Sequence, residues 1–284
     1  MSAAKRTTTK AKAKIFIMMW TLPALLVVAL PALTGRDLAS VASFKNWGLE
    51  NKISDSHIHA VGAWKIEKGS RDIVVAVVDT GIDAKHPDLK NNLWRDKTSG
   101  HFGWDFVTNK PNPIDEHGHG THVAGILGAT LNSTAGISGV APNISIMGVR
   151  YYSEKISGAE NLKNSIKALN WAIDHGAHII NYSGGGPERS QEEFEAIKRA
   201  RDKGILVVAA AGNERQNADI PENYYYPCAY RLENIVCVTA TNIRNEVLAS
   251  SNWGKKFVDV AAPGENILST IPNAKYAYMT GTSQ

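Results

Sequence analysis

The sequence predicts an α/β fold of three layers, with a central parallel β-sheet flanked by helices. Three observations predict it. Five short apolar runs recur along the chain, at residues 73–78, 144–149, 177–182, 205–210 and 235–240. Helical patterns at 161–175 and 191–203 separate some of them. Polar residues suited to chemistry stand at or just past the ends of runs, Asp79 after the first and Asn213 after the fourth.

The runs are continuous and rich in β-branched residues, as expected for strands buried on both faces. Segment 161–175 carries Leu162, Ile166, Leu169 and Ile173 at three- and four-residue steps, one apolar helical face. Gly176 stands where that helix should stop. Segment 191–203 repeats the pattern with Phe194, Ile197 and Ala200, and Gly204 follows it. Glycines before His119, and small and apolar residues after it, suggest a loop leading into a buried helix. Strands alternating with helices build a parallel sheet covered on both sides. In such sheets functional groups gather at the carboxyl ends of strands.

The 284 residues suffice for one large domain, and 43% hydrophobic content marks a globular chain. The net charge of +4 is misleading. Residues 1–36 hold Lys5, Arg6, Lys10, Lys12, Lys14 and Arg36 and no acidic residue; the rest carries 25 basic against 27 acidic residues, a net charge of −2. No global basic field is left to attract nucleic acid. A basic stretch followed by an apolar run, residues 15–33, has the layout of a secretory signal and nearly the length of a membrane span. Residues 1–39 are therefore read as a signal peptide or an N-terminal membrane anchor. Either places residues 40–284 outside the cytoplasm, secreted or extracytoplasmic. Two nearby cysteines in an exported chain, Cys228 and Cys237, suggest a local disulfide; buried thiols are the alternative.

Three segments offer an acid, a base and a hydroxyl in the order Asp, His, Ser: Val-Val-Asp-Thr-Gly-Ile-Asp around Asp79, His-Gly-Thr-His-Val-Ala-Gly from His119, and Gly-Thr-Ser ending at Ser283. That order is one of the convergent arrangements of the serine-hydrolase triad. A carboxylate at a strand end would fix the imidazole tautomer, and the imidazole would activate the serine. Each segment has a plainer reading, such as a turn-capping Asp79 or a chance Gly-Thr-Ser. Asp-Thr-Gly also marks aspartic proteases, but those need two such carboxylates and this chain has one. His117, His119 and His122 raise a metal site, but no further ligand stands at a familiar spacing. No Gly-x-Ser-x-Gly elbow is present, which argues against an α/β-hydrolase. Asn213, in Ala-Ala-Ala-Gly-Asn-Glu, is suited to donate to an oxyanion or to serve as an ordinary turn residue. The three glycines of 184–186 lack the spacing of a dinucleotide loop.

Taken together, these segments resemble the subtilases, the subtilisin-like serine proteases, from about Trp47 to the end of the chain. Gly-Val-Ala-Pro at 139–142 and Ala-Pro-Gly at 262–264 add to the likeness. The resemblance implies a triad of Asp79, His119 and Ser283, with Asn213 as oxyanion donor, in an endopeptidase acting on polypeptides. It implies a pocket for the residue before the cut bond, walled by Ser183, Gly184 and Gly185 on one side and Ala210, Ala211 and Gly212 on the other. Tyr225 falls at its floor and would make it shallow, favouring small or medium residues. It implies Ca²⁺ held by Asp88 and by Asn132 in a surface loop, and a monomer is expected. Two departures stand out: no prosegment of usual size fits before the first strand, and one residue follows Ser283. A fragment of a longer protease is expected, with an open core and a poorly placed serine. The rival expectation is an inactive subtilase-like protein that at most binds peptides.

Overall fold

The computed structural model describes residues 46–51, 53–131 and 136–284. The proposed signal or anchor, residues 1–39, and the calcium candidate Asn132 lie outside the described residues. Eight strands form one sheet: β1 (Val74–Asp79), β2 (Gly103–Asp105), β3 (Lys110–Pro111), β4 (Ser145–Arg150), β5 (Ile179–Tyr182), β6 (Leu206–Ala210), β7 (Ile235–Thr241) and β8 (Val260–Pro263). Their order is β3-β2-β4-β1-β5-β6-β7-β8, and every neighbouring pair is parallel except β2 with β3. This is the expected α/β architecture, and all five expected strands fall within it.

Strand β1 runs through the centre, and its alternation divides the core. Val74, Ala76 and Val78 belong to one buried cluster, Val75 and Val77 to the other. Successive strand residues point to opposite faces, so a wholly apolar strand needs cover on both. After the short α1 (Ala60–Ala63), helices α3 (Gly158–Asp174) and α4 (Gln191–Asp202) cover the first face, with Leu169, Ile173, Ile197 and Ala200 in its core. Ser157 and Ser190 cap these helices by accepting from the N–H of Glu160 and Glu193. The helices end at Asp174 and Asp202, two residues before Gly176 and Gly204.

Helix α2 (His119–Gly128) covers the second face and contributes Val123 and Ala124. A hairpin of β9 (Ile267–Ile271) and β10 (Lys275–Met279) packs on α2. Ser269 and Thr270 hydroxyls donate to the carbonyls of His122 and Thr121 at 2.6 and 2.7 Å. On the β6–β8 side the cover is thinner. Val260 is 47% exposed, and a cavity of about 100 Å³ lies between these strands and residues 281–284.

The segment around Trp47 joins the body. Leu49, Ala60 and Trp64 form a small buried cluster, and the indole N–H groups of Trp47 and Trp64 donate to the carbonyls of Glu265 and Val140. Cys228 and Cys237 are bridged, with the sulfurs 2.08 Å apart. Among the described residues, no helix is long and apolar enough to cross a membrane.

Candidate active site

Asp79 closes β1 and His119 opens α2, and both are buried. The carboxylate oxygens of Asp79 lie 2.8 and 2.9 Å from His119 Nδ1. A carboxylate can only accept, so Nδ1 carries a proton, and in the neutral ring Nε2 keeps its lone pair. Nε2 is buried without a hydrogen-bond partner. Burial alone would lower the basicity of His119, but the charge and hydrogen bond of Asp79, with help from Asp115, hold its pKa above the ordinary 6.5.

The helix can come this close to β1 because Gly120 has no side chain. A Cβ there would lie 2.3 Å from the Gly81 carbonyl oxygen and 3.1 Å from Asp79. Asp115, buried just before the helix, ties the two elements together. Its Oδ1 accepts from the Thr80 hydroxyl and from the N–H groups of His117 and Gly118 at 2.8–2.9 Å. Its Oδ2 accepts from the N–H and hydroxyl of Thr121 at 2.9 and 2.6 Å. Thr80 Oγ1 in turn accepts from the N–H of Gly120. Asp115 was not among the candidates read from sequence. Its signal was Asp-Glu-His-Gly, an Asp whose carboxylate can accept from the backbone two and three residues on.

Ser283 lies in a turn between the two expected pocket walls. Its hydroxyl donates to the Ser183 carbonyl at 3.2 Å, and the Ser183 hydroxyl donates to the Ser283 carbonyl at 3.3 Å. The structure thus joins His119 to Asp79 but does not join Ser283 to His119. Asn213 sits beside the same turn. Its Oδ1 accepts from the Thr282 N–H at 3.0 Å, which orients the amide and leaves Nδ2 as the free donor. The Gly212 N–H donates to the Thr282 hydroxyl at 3.2 Å. Tyr225 lies between the walls: Cβ atoms built on Gly185 and Gly212 would come within 2.7 and 3.1 Å of its ring. Gly184 and Ala210–Ala211 continue those walls, in the loop after β5 and at the end of β6.

The three histidines near the site do not gather as metal ligands. His122 Nε2 donates to the carbonyls of Ile267 and Ala277, both at 3.1 Å, and His117 faces Glu154. Burial, and then the nearby His119, push His122 down to about 3. Its Nδ1 has no acceptor, so a second proton would be stranded there. The folded pKa is below the unfolded one, so this stability is present above pH 6.5 and is lost as pH falls toward 3. A loss of about 1.4 kcal/mol per pH unit below 6.5 is expected from this residue. Urea unfolding between pH 7 and 4 checks it, and a flat stability would count against a neutral buried His122.

At the calcium candidate, the buried Asp88 accepts at Oδ2 from the Ile137 N–H at 3.1 Å and the Tyr276 hydroxyl at 2.8 Å. A carboxylate suits a hard oxygen-seeking ion in kind, but one carboxylate falls short of the six to eight oxygens Ca²⁺ takes. The loop expected to supply others, residues 132–135, lies outside the described residues.

The family model of the subtilase family matches residues 70–284. The chain belongs to the subtilase family. This subtilase is 41% identical over 221 residues to the thermophilic serine proteinase of Bacillus sp. (strain AK1), covering 78% of this chain and 51% of that one. It is 41% identical over 230 residues to the major intracellular serine protease of Bacillus subtilis (strain 168), covering 80% and 68%. It is 40% identical over 226 residues to thermitase of Thermoactinomyces vulgaris, covering 80% and 75%. The chain therefore spans about half the length of the first of these relatives and more of the other two.

Proposed function

We propose that this subtilase cuts polypeptides through an acyl-enzyme formed on Ser283. The observation that carries the proposal is the Asp79–His119 pair, which engages Nδ1 and leaves Nε2 buried and without a partner. In the reaction Ser283 Oγ turns from the Ser183 carbonyl toward Nε2. A serine hydroxyl reaches new partners by rotation between staggered χ1 wells, and catalytic hydrogen bonds commonly tighten only when substrate binds. Oγ attacks the scissile carbonyl as Nε2 takes its proton, and Asn213 Nδ2 donates to the oxyanion. His119 then returns the proton to the leaving amine, and water hydrolyses the acyl-enzyme by the same route in reverse. Peptide hydrolysis by the wild-type chain, lost in Ser283→Ala, tests the assignment. Equal rates in both would remove Ser283 from it.

Substrate lies extended between the two small-residue walls and pairs with their backbone, a strand-addition mode of recognition. The Tyr225 ring shortens the pocket, so small or medium residues are preferred before the cut bond. Tyr225→Ala is expected to raise kcat/KM for substrates with Phe or Leu at that position relative to Ala. A peptide library read by mass spectrometry checks this; strong cleavage after Phe by the wild type would contradict it.

Two further assignments belong with the proposal. Asp88 and Asn132 would hold a structural Ca²⁺. A chelator is then expected to lower Tm, with Ca²⁺ restoring it; an unchanged Tm would remove the ion. The basic and apolar N-terminus and the Cys228–Cys237 bridge support an extracytoplasmic location. The relative from Bacillus subtilis is by name intracellular, so fractionation of the native host decides between the two.

A further inference from the structure

We propose that Asp55, His57 and His59 form a surface site for a borderline divalent transition ion, Zn²⁺ above all. No residue of the proteolytic site takes part, so the site stands or falls independently of the proposed function. The three residues follow one another at i, i+2 and i+4 in a segment that bends at Asp55 and His57 and turns left-handed at His59, and these turns bring their side chains together. One ligand atom from each lies within 4.8 Å of the other two, the one such group among the described residues. His59 Nε2 is 3.0 Å from Asp55 Oδ1, and the two imidazole rings are 4.2 Å apart. The backbone N–H of His59 donates to His57 Nδ1 at 3.2 Å, which orients the His57 ring and leaves its Nε2 to face an ion.

The donor set selects the ion. Two imidazoles and a carboxylate suit Zn²⁺ and its transition-metal neighbours, whereas Ca²⁺ and Mg²⁺ take oxygen almost alone. Zn²⁺ sits roughly 2.0–2.2 Å from such ligands, so the three groups must close slightly. The side chains of Asp55 and His59 are 87% and 63% exposed and can rotate to do so. The backbone beneath them is already fixed. The hydroxyls of Ser54 and Ser56 donate to the Ile243 carbonyl at 2.7 and 2.6 Å. The N–H groups of Ile58 and Ala60 donate to the carbonyls of Gly48 and Leu49, both at 2.9 Å. A bound ion would clip residues 55–59 in this conformation and stabilise the folded chain by mass action.

Calorimetric titration of the full chain with ZnCl₂ tests the site, beside His57→Gln/His59→Gln and Asp55→Asn. The double variant is expected to lose one equivalent of Zn²⁺, and Asp55→Asn to weaken that equivalent. Loss of a direct ligand should cost more than the roughly 10–100-fold typical of an outer-shell partner. Zn²⁺ should raise Tm in the wild type by more than in the double variant. Zn²⁺ bound at His119 would persist in the double variant, so the difference between the isotherms reports the Asp55–His57–His59 site alone. If the double variant melts early in chelator, Asp55→Asn alone carries the comparison. Identical isotherms for wild type and variants, or no heat at millimolar Zn²⁺, would overturn the proposal.

Discussion

Asp79→Asn is expected to lower kcat on the order of 10⁴-fold with little change in KM, a figure established for a triad of the same composition in another fold. The local cause is visible. Both Asp79 oxygens lie within 2.9 Å of His119 Nδ1, and an amide there can turn its N–H₂ toward the ring and demand the opposite tautomer. The proton would then sit on Nε2, where Ser283 needs a lone pair. The pH profile should move as well. Only neutral His119 acts as a base, so the wild-type rate rises with pH through a pKa above 6.5. Without the Asp79 charge, burial dominates and that limb moves to lower pH. The same raised pKa makes the pair's contribution to stability greatest below pH 6.5 and lost as pH rises through the folded pKa. Steady-state rates between pH 5 and 9 for both proteins check the rate and the profile, and urea unfolding over the same range checks the stability; an unmoved limb would mean that Asp79 does not set His119.

Asn213→Ala is expected to lower kcat by about 10²–10³ with KM nearly unchanged, a figure that comes from a related subtilisin and not from this geometry. The geometry explains why one amide should matter so much. The Thr282 N–H fixes Asn213 Oδ1, so Nδ2 is already aimed when charge develops on the substrate oxygen. Preorganisation of this kind costs nothing at the moment of reaction. Asn213→Asp, with an acceptor in place of the donor, should be at least as damaging. Single-turnover kinetics separate the two effects, and a change in KM alone would argue for a binding role.

The parts of this protein that were legible in its sequence are those with a strong period or a fixed neighbour. Residues 73–78 read as a strand because continuous β-branched residues suit a site buried on both faces, and β1 does feed both cores. Ser157 and Ser190 begin helices whose apolar stripes were plain. The strands that went unread are short or broken by polar residues. β2 is three residues long, and β8 ends in Pro263. In β9, Ser269 and Thr270 are buried polar residues because their hydroxyls are used up on α2. At the site, Asp79 and His119 could be named from their segments, but Asp115 could not. Its role depends on five donors converging from Thr80, His117, Gly118 and Thr121, which only the folded loop brings together. The partner of Ser283 was also out of reach of sequence, since it is set by a backbone carbonyl one hundred residues away.

The central claim is that Ser283 is a nucleophile activated by His119. Labelling of the chain with a fluorophosphonate probe, followed by peptide mapping, tests it most directly, since only an activated serine reacts at a useful rate. Stoichiometric label on Ser283, abolished in both Ser283→Ala and His119→Ala, is the predicted result. A chain that folds and takes no label, or one whose labelling survives His119→Ala, would contradict the account and leave at most a peptide-binding protein.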